Sequence, residues 1–230
     1  MSSIFNIQKS KVLDLFMDET GTIRDRSGKG NVGTTVGMDY TNIVRSGRGR
    51  DVGLSFNGSN ERGNVADNVN LRFGTENFSV LLAISWTTAP AFRDFLHKRE
   101  AGNGAGWAIF LDTISGKISS TLEATDGTVS NTIGTRTNLN DGALHVISFS
   151  FNRISGVGKV FVDGVNDTNT GDLTSLIGKD ISWSGDLYIA SDSDGSFTKC
   201  DMYRVCLFKG LALESIQHAY LYKALLNGEI

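Results

Sequence analysis

The chain has 230 residues, a net charge of −3 at pH 7, 27 glycines, one proline and 40% hydrophobic residues. That is long for an average domain but normal for one all-β sandwich with many tight turns and a sizeable core. The charge gives no electrostatic reason to expect nucleic acid, and the longest purely apolar run, Val80–Ile84, is far too short to span a bilayer.

The opening MSSIFNIQKSKVLDLF has no apolar segment of signal-peptide length and no small-residue cleavage pattern, so folding in the cytoplasm is expected. Chain ends fray unless something holds them. Met1–Ser10 is therefore read as an arm docked on its own sandwich or on a neighbouring subunit, with residues 1–11 as arm and 12–230 as one domain. Val12–Met17 is a short strand. Asp18–Thr34 is a loop: Gly21, Gly28, Gly30 and Gly33 permit positive φ, and Asp25 and Ser27 can bond neighbouring backbone. Lys29 has no phosphate-loop frame around it. Arg45, Arg48 and Arg50 sit among Gly and Ser and read as a solvated loop.

Val52–Val65 reads as strand, Asn-Gly turn and strand. Phe78–Trp86 is apolar on both alternating faces, so it should be a central strand buried on both sides. Phe95–Lys98, Trp107–Leu111 and Lys117–Leu122 follow at sandwich rhythm. In Leu144–Phe151, Ile147, Phe149 and Phe151 alternate with Val146, Ser148 and Ser150, a half-buried strand. Asn152–Gly158 supplies a turn, Lys159–Val162 a second strand, and Asp163-Gly164 a hairpin-type turn. Leu187–Ser191 and Met202–Phe208 are the last strands. Leu213–Leu226 changes to helical period, with Leu213, Ile216, Tyr220 and Ala224 on one face. Cys200 and Cys206 share a strand. Six residues of extended chain span roughly 20 Å, whereas a disulfide needs Cα atoms about 6 Å apart, so both are expected as buried free thiols.

The string from Leu139 to Val165, with Asn-Asp-Gly, an apolar residue, His145, an alternating strand, a Gly-rich turn and a strand closing on Val-Asp-Gly, resembles the signature hairpin of laminin-G-like domains. Asp25, Ser27, Gly28, Gly30, Asn31 and Gly33 resemble the opening loop of the same family. The resemblance implies an all-β fold, a two-sheet antiparallel jelly-roll sandwich of concanavalin A-like type with a short C-terminal helix. It also implies candidate calcium ligands, because calcium takes six to eight oxygens. One set is Asp25 and Asn31 with Asp201 from the closing strand, where this chain has Tyr203 and Arg204 in place of the family's Asp pair. The other is Asp192 and Asp194.

Some jelly rolls of this superfamily are glycanases. Retaining hydrolysis needs two carboxylates about 5–5.5 Å apart. Glu123 and Asp126 lack the spacing those enzymes use, and His97, His145 and His218 lie in no nucleophile motif. Glycan binding needs an exposed aromatic platform beside polar groups. Trp86 and Trp107 alternate with apolar neighbours and read as core, which leaves Trp183, in ISWSGD, as the candidate. The function expected is a non-catalytic recognition module, lectin-like, decorating a bacteriophage virion, with Met1–Ser10 contacting a virion structural protein. A purely structural assembly module and a sandwich glycanase are the alternatives.

Overall fold

The computed structural model describes residues 7–17, 22–38, 42–45, 52–87, 93–102, 104–112 and 116–229. Met1–Asn6 of the expected arm, Arg48 and Arg50 lie outside them. Two antiparallel sheets face each other across one apolar core, the layering of a sandwich. With strands numbered in chain order, the first sheet runs β14 (Val165–Asn166), β13 (Val157–Val162), β12 (His145–Asn152), β7 (Phe78–Ser85), β17 (Lys199–Lys209), β1 (Lys11–Met17) and β2 (Ile23–Asp25). β5 (Val52–Asn57) also pairs with β17 and carries β4 (Ile43–Arg45). The second sheet runs β15 (Thr168–Thr170), β11 (Val129–Gly134), β10 (Lys117–Glu123), β9 (Gly106–Asp112), β8 (Arg93–Arg99), β16 (Leu187–Ile189), β6 (Arg62–Val65) and β3 (Gly33–Val36).

A strand apolar on both faces needs cover on both. β7 lies between β12 and β17, and all eight of its residues are buried. Val80, Leu82 and Ile84 point into the core between the sheets. Leu81 and Ala83 point outward into a second apolar cluster with Cys206, Phe208, Leu221 and Leu225. The C-terminal helix, Ser215–Leu226, supplies that outer layer, and Ile7, in the helical residues 7–10, joins it at 2% exposure. The described end of the arm thus rests on its own domain.

The β12–β13 hairpin pairs from Ile147↔Val162 to Asn152↔Val157. Asp163 (φ 53°) and Gly164 (φ 75°) then turn the chain into β14, the positive φ pair of a type I′ turn. A Cβ on Gly164 would lie 3.1 Å from both Ala219 Cα and Tyr222 Cβ, so glycine also lets the helix sit on the turn. His145 is clasped by the two aspartates of the signature. Its Nδ1 is 3.0 Å from Asp163 and its Nε2 3.2 Å from Asp141, with the ring edge-on to Trp86.

Two expectations are corrected. Asp18–Thr34 is not loop throughout, because it contains β2 and the start of β3, while Val52–Val65 is strand, turn and strand as read, with β5 in the first sheet and β6 in the second. Glu61 closes the crossing by accepting the Asn57 N–H at 2.6 Å. The buried face of the helix is Gln217, His218, Leu221, Ala224 and Leu225, while Ile216 and Tyr220 are exposed. His218 is partly satisfied there: its Nδ1 lies 2.7 Å from Ser148 Oγ and its ring stacks on Phe161, while its Nε2 is buried without a hydrogen-bond partner and burial pushes its pKa down to about 3. Cys200 and Cys206 both lie on β17, buried and free. Among the described residues, no helix is long and apolar enough to cross a membrane.

Candidate functional site

The outward face of the second sheet carries one cross-strand row. Register places Thr34 opposite Asn64, Asn64 opposite Tyr188, Tyr188 opposite His97, His97 opposite Ala108, Ala108 opposite Thr121, and Thr121 opposite Asn131. Alternation puts this row on the side away from the core, because Val65, Leu187, Leu96, Ile109 and Leu122 beside it fill the core. At its middle the small Ala108 leaves a groove of about 360 Å³, within the size range of small-ligand sites. Half-buried Phe110 and Thr121 rise on β9 and β10, and the 192–194 loop forms the opposite rim. A larger groove, about 540 Å³, lies beside the start of the C-terminal helix, but no aromatic side chain lines it.

His97 forms the wall of the 360 Å³ groove. Its Nδ1 is 2.6 Å from Asp94 Oδ2, and its Nε2 is 2.7 Å from the Arg99 carbonyl and 3.2 Å from Ser193 Oγ. The distances imitate a Ser–His–Asp triad, yet the chemistry does not follow. A carbonyl at 2.7 Å requires Nε2 to carry a proton, so it has no lone pair with which to take one from Ser193. Burial raises the Asp94 carboxyl above its ordinary range; His97 opposes the shift and the Asp192 charge adds to it. Of the two carboxylates weighed for glycan hydrolysis, Glu123 is buried and ion-paired with Arg99, and exposed Asp126 is paired with Lys179 at 2.9 Å.

Trp183 borders His97 on the other side, edge-on, with ring centroids 6.4 Å apart. It is half-buried rather than openly displayed. Gly185 lies flat beneath the indole, where a Cβ would come within 2.0 Å of the ring. Lys98 fastens the loop from below: its Nζ donates to Asp67 at 2.6 Å, to the Trp183 carbonyl at 3.2 Å and to the Gly185 carbonyl. Trp183 and Tyr188 thus flank His97, which Tyr188 approaches at 6.3 Å.

The proposed calcium ligands are distributed as follows. Asp25 accepts from the backbone N–H groups of Asp14, Ser27 and Asn31 at 2.8–3.1 Å and from Ser27 Oγ at 2.8 Å. Asn31 Nδ2 donates to the Val12 carbonyl. This network closes the loop on itself. Asp25 pairs with Leu15 and Leu15 with Val205. Two strand spacings and four residues along β17 put Asp201 roughly 16 Å from Asp25, so the structure does not bring them together. Asp201 instead accepts from Ser85 Oγ at 3.4 Å. Asp192 Oδ1 accepts the N–H groups of Asp194 and Ser196. Among the described residues, no three His, Cys, Asp or Glu side chains form a metal-binding group.

Sequence reading named His97 without a role and passed over Asp94, Glu100, Phe110 and Tyr188. Only Phe110 carried a local signal, as the large apolar residue of β9 that alternates out of phase with the core.

No family model matches the chain, and no curated protein does. Solved structures do. The binding domain of Paraclostridial Mosquitocidal Protein 1 superposes with a TM-score of 0.74 at 14% identity, covering 96% of this chain and 53% of that one. The botulinum neurotoxin serotype C1 binding domain gives 0.72 at 17% identity, with 96% and 53% covered. The botulinum neurotoxin serotype D ligand binding domain, in complex with N-acetylneuraminic acid, gives 0.70 at 16% identity, with 96% and 52% covered. These likenesses establish the β-sandwich fold, and this chain spans about half the length of each.

Proposed function

We propose that this chain is a non-catalytic glycan-binding module of laminin-G-like type, and that the groove over Ala108 is its site. The observation that carries the reading is the outward row. At Ala108 it opens into a groove that sets the Thr121 hydroxyl and the Asp94, Glu100, Asp192 and Asp194 carboxylates beside Phe110 and His97 over a floor of one small residue, the mixture that sugar rings require, with Tyr188 and Trp183 across His97 from it. The structural neighbour in complex with N-acetylneuraminic acid points the same way. The proton on His97 Nε2 speaks against hydrolysis by the Ser193–His97–Asp94 constellation. For the setting we propose the surface of a bacteriophage particle. The two buried free thiols fit a chain that folds in a reducing compartment. Absence of the protein from purified particles would overturn that setting without touching the site.

The testing experiment is a glycan array with the wild-type protein and Ala108→Phe, each run with calcium and again with a chelator. The expected result is binding by wild type and at least about a tenfold loss in Ala108→Phe, the scale of a lost buried contact. Undiminished binding by the variant would move the site elsewhere. No binding by wild type would favour a purely structural assembly module. A loss with chelator alone would show that binding needs calcium.

A further inference from the structure

The same groove has a charge that its likeness to sialic acid-binding structures does not suggest. Among the described side chains, two cations and five carboxylates stand in or beside it, and these cations are already matched. Arg99 is ion-paired with Glu123. His97 and Asp94 share a short hydrogen bond, 2.6 Å, and Nε2 is committed as a donor to the Arg99 carbonyl. That pair is either imidazolium with carboxylate or imidazole with carboxylic acid, and it is neutral both ways. Glu100, Asp192 and Asp194 remain. Asp192 accepts two backbone N–H groups, which hold its charge in place without cancelling it. Exposed Glu100 and Asp194 have no side-chain hydrogen bond or ion pair to another described residue. All three line one groove of about 360 Å³ whose floor, Ala108, offers no counter-charge.

We propose, resting on the glycan reading above, that this groove takes sugars bearing a free amino group and rejects acidic sugars. An ammonium group over Ala108 would face three uncompensated carboxylates at short range, where partial exclusion of water strengthens attraction. A sialic or uronic acid would face the same three as repulsions. An N-acetylated or unsubstituted neutral sugar lies between them.

An array that displays hexosamine-terminated, neutral and acid-terminated glycans on one linker tests the order. Binding is read at about 0.01 M and about 1 M salt, where the screening length falls from about 30 Å to about 3 Å. The expected result is hexosamine over acidic glycan by at least about tenfold at low salt, or about 1.4 kcal/mol, with the gap shrinking at high salt. The variant Glu100→Gln/Asp194→Asn should close most of the gap between hexosamine and acidic glycan, and an undiminished gap would overturn the charge inference. Equal binding of the three classes, or acidic glycans bound best, overturns the charge inference and keeps the glycan reading. Absence of binding to every class overturns both.

Discussion

Asp14 is buried between two cations. Lys11 Nζ lies 2.8 Å from one carboxylate oxygen and Arg204 Nε 2.6 Å from the other, and Cys206 Sγ donates to the second at 3.4 Å. Burial alone would raise its carboxyl, but hydrogen bonds and charge from Arg204 and then Lys11 outweigh it and hold it below the ordinary 3.8. Asp14→Asn keeps the shape and strands two buried cations, so it should cost about 3–5 kcal/mol in denaturant unfolding. A depressed folded value means the contribution is present above pH 3.8 and lost as pH falls through the folded value. Acid unfolding of wild type should therefore begin below pH 3.8, and the variant should lack that step. Behind the groove wall, Trp183→Ala removes the ring packed edge-on against His97 and should weaken glycan binding by about 0.5–1.5 kcal/mol. Gly185→Ala should do as much by lifting the indole, visible as shifted tryptophan fluorescence. The sequence showed Tyr203 and Arg204 where an Asp pair was expected, and that looked like a simple loss. The use made of Arg204 was hidden, because its partner lies 190 residues earlier.

The hairpin was legible because its information is local: alternation sets β12 and β13, and Asp163-Gly164 demands positive φ. The role of His145 within it titrates. Its hydrogen bond to Asp163 raises its pKa above 6.5 against the lowering effect of burial, with Asp141 adding to the rise. A raised folded value means the stabilisation is full below pH 6.5 and lost as pH rises through the folded value. The Tm of wild type should fall as pH climbs from 6.5, and His145→Gln should flatten that slope; an unchanged slope would remove the clasp from the pH response. The helix was legible as an element but not in its orientation. Its apolar residues Ile216 and Tyr220 advertised one face, whereas the buried face includes Gln217 and His218. Gln217 joins Glu214 in a capping box, and His218 finds Ser148 on β12. A polar residue enters a buried face when partners off the apolar pattern hold it, the local Glu214 for Gln217 and the distant Ser148 for His218, and periodicity sees neither.

At the scale of the whole molecule, the sandwich follows from strand rhythm and turns, but the site depends on sheet order. Tyr188 reaches His97 only because β16 inserts between β6 and β8, and no local pattern announces that neighbour. The same topology places β17 centrally: it pairs with β7, β1 and β5 and carries both cysteines. Burial pushes the Cys206 thiol up to about 12, with the Asp14 charge adding to it, and raises Cys200 further. The reactive thiolate is absent from the native state at ordinary pH. Labelling must therefore wait for the sheet to open, so its rate reports the free energy of that opening. Native protein at neutral pH should resist a thiol reagent, while denatured protein should react at two sites. Asp14→Asn, about 3 kcal/mol less stable, should label about a hundredfold faster if both thiols are released by global unfolding. Rapid labelling of one cysteine in the native protein, indifferent to Asp14→Asn, would show instead that an edge of β17 opens alone. The sandwich would then contain two units of stability, separated along its longest strand.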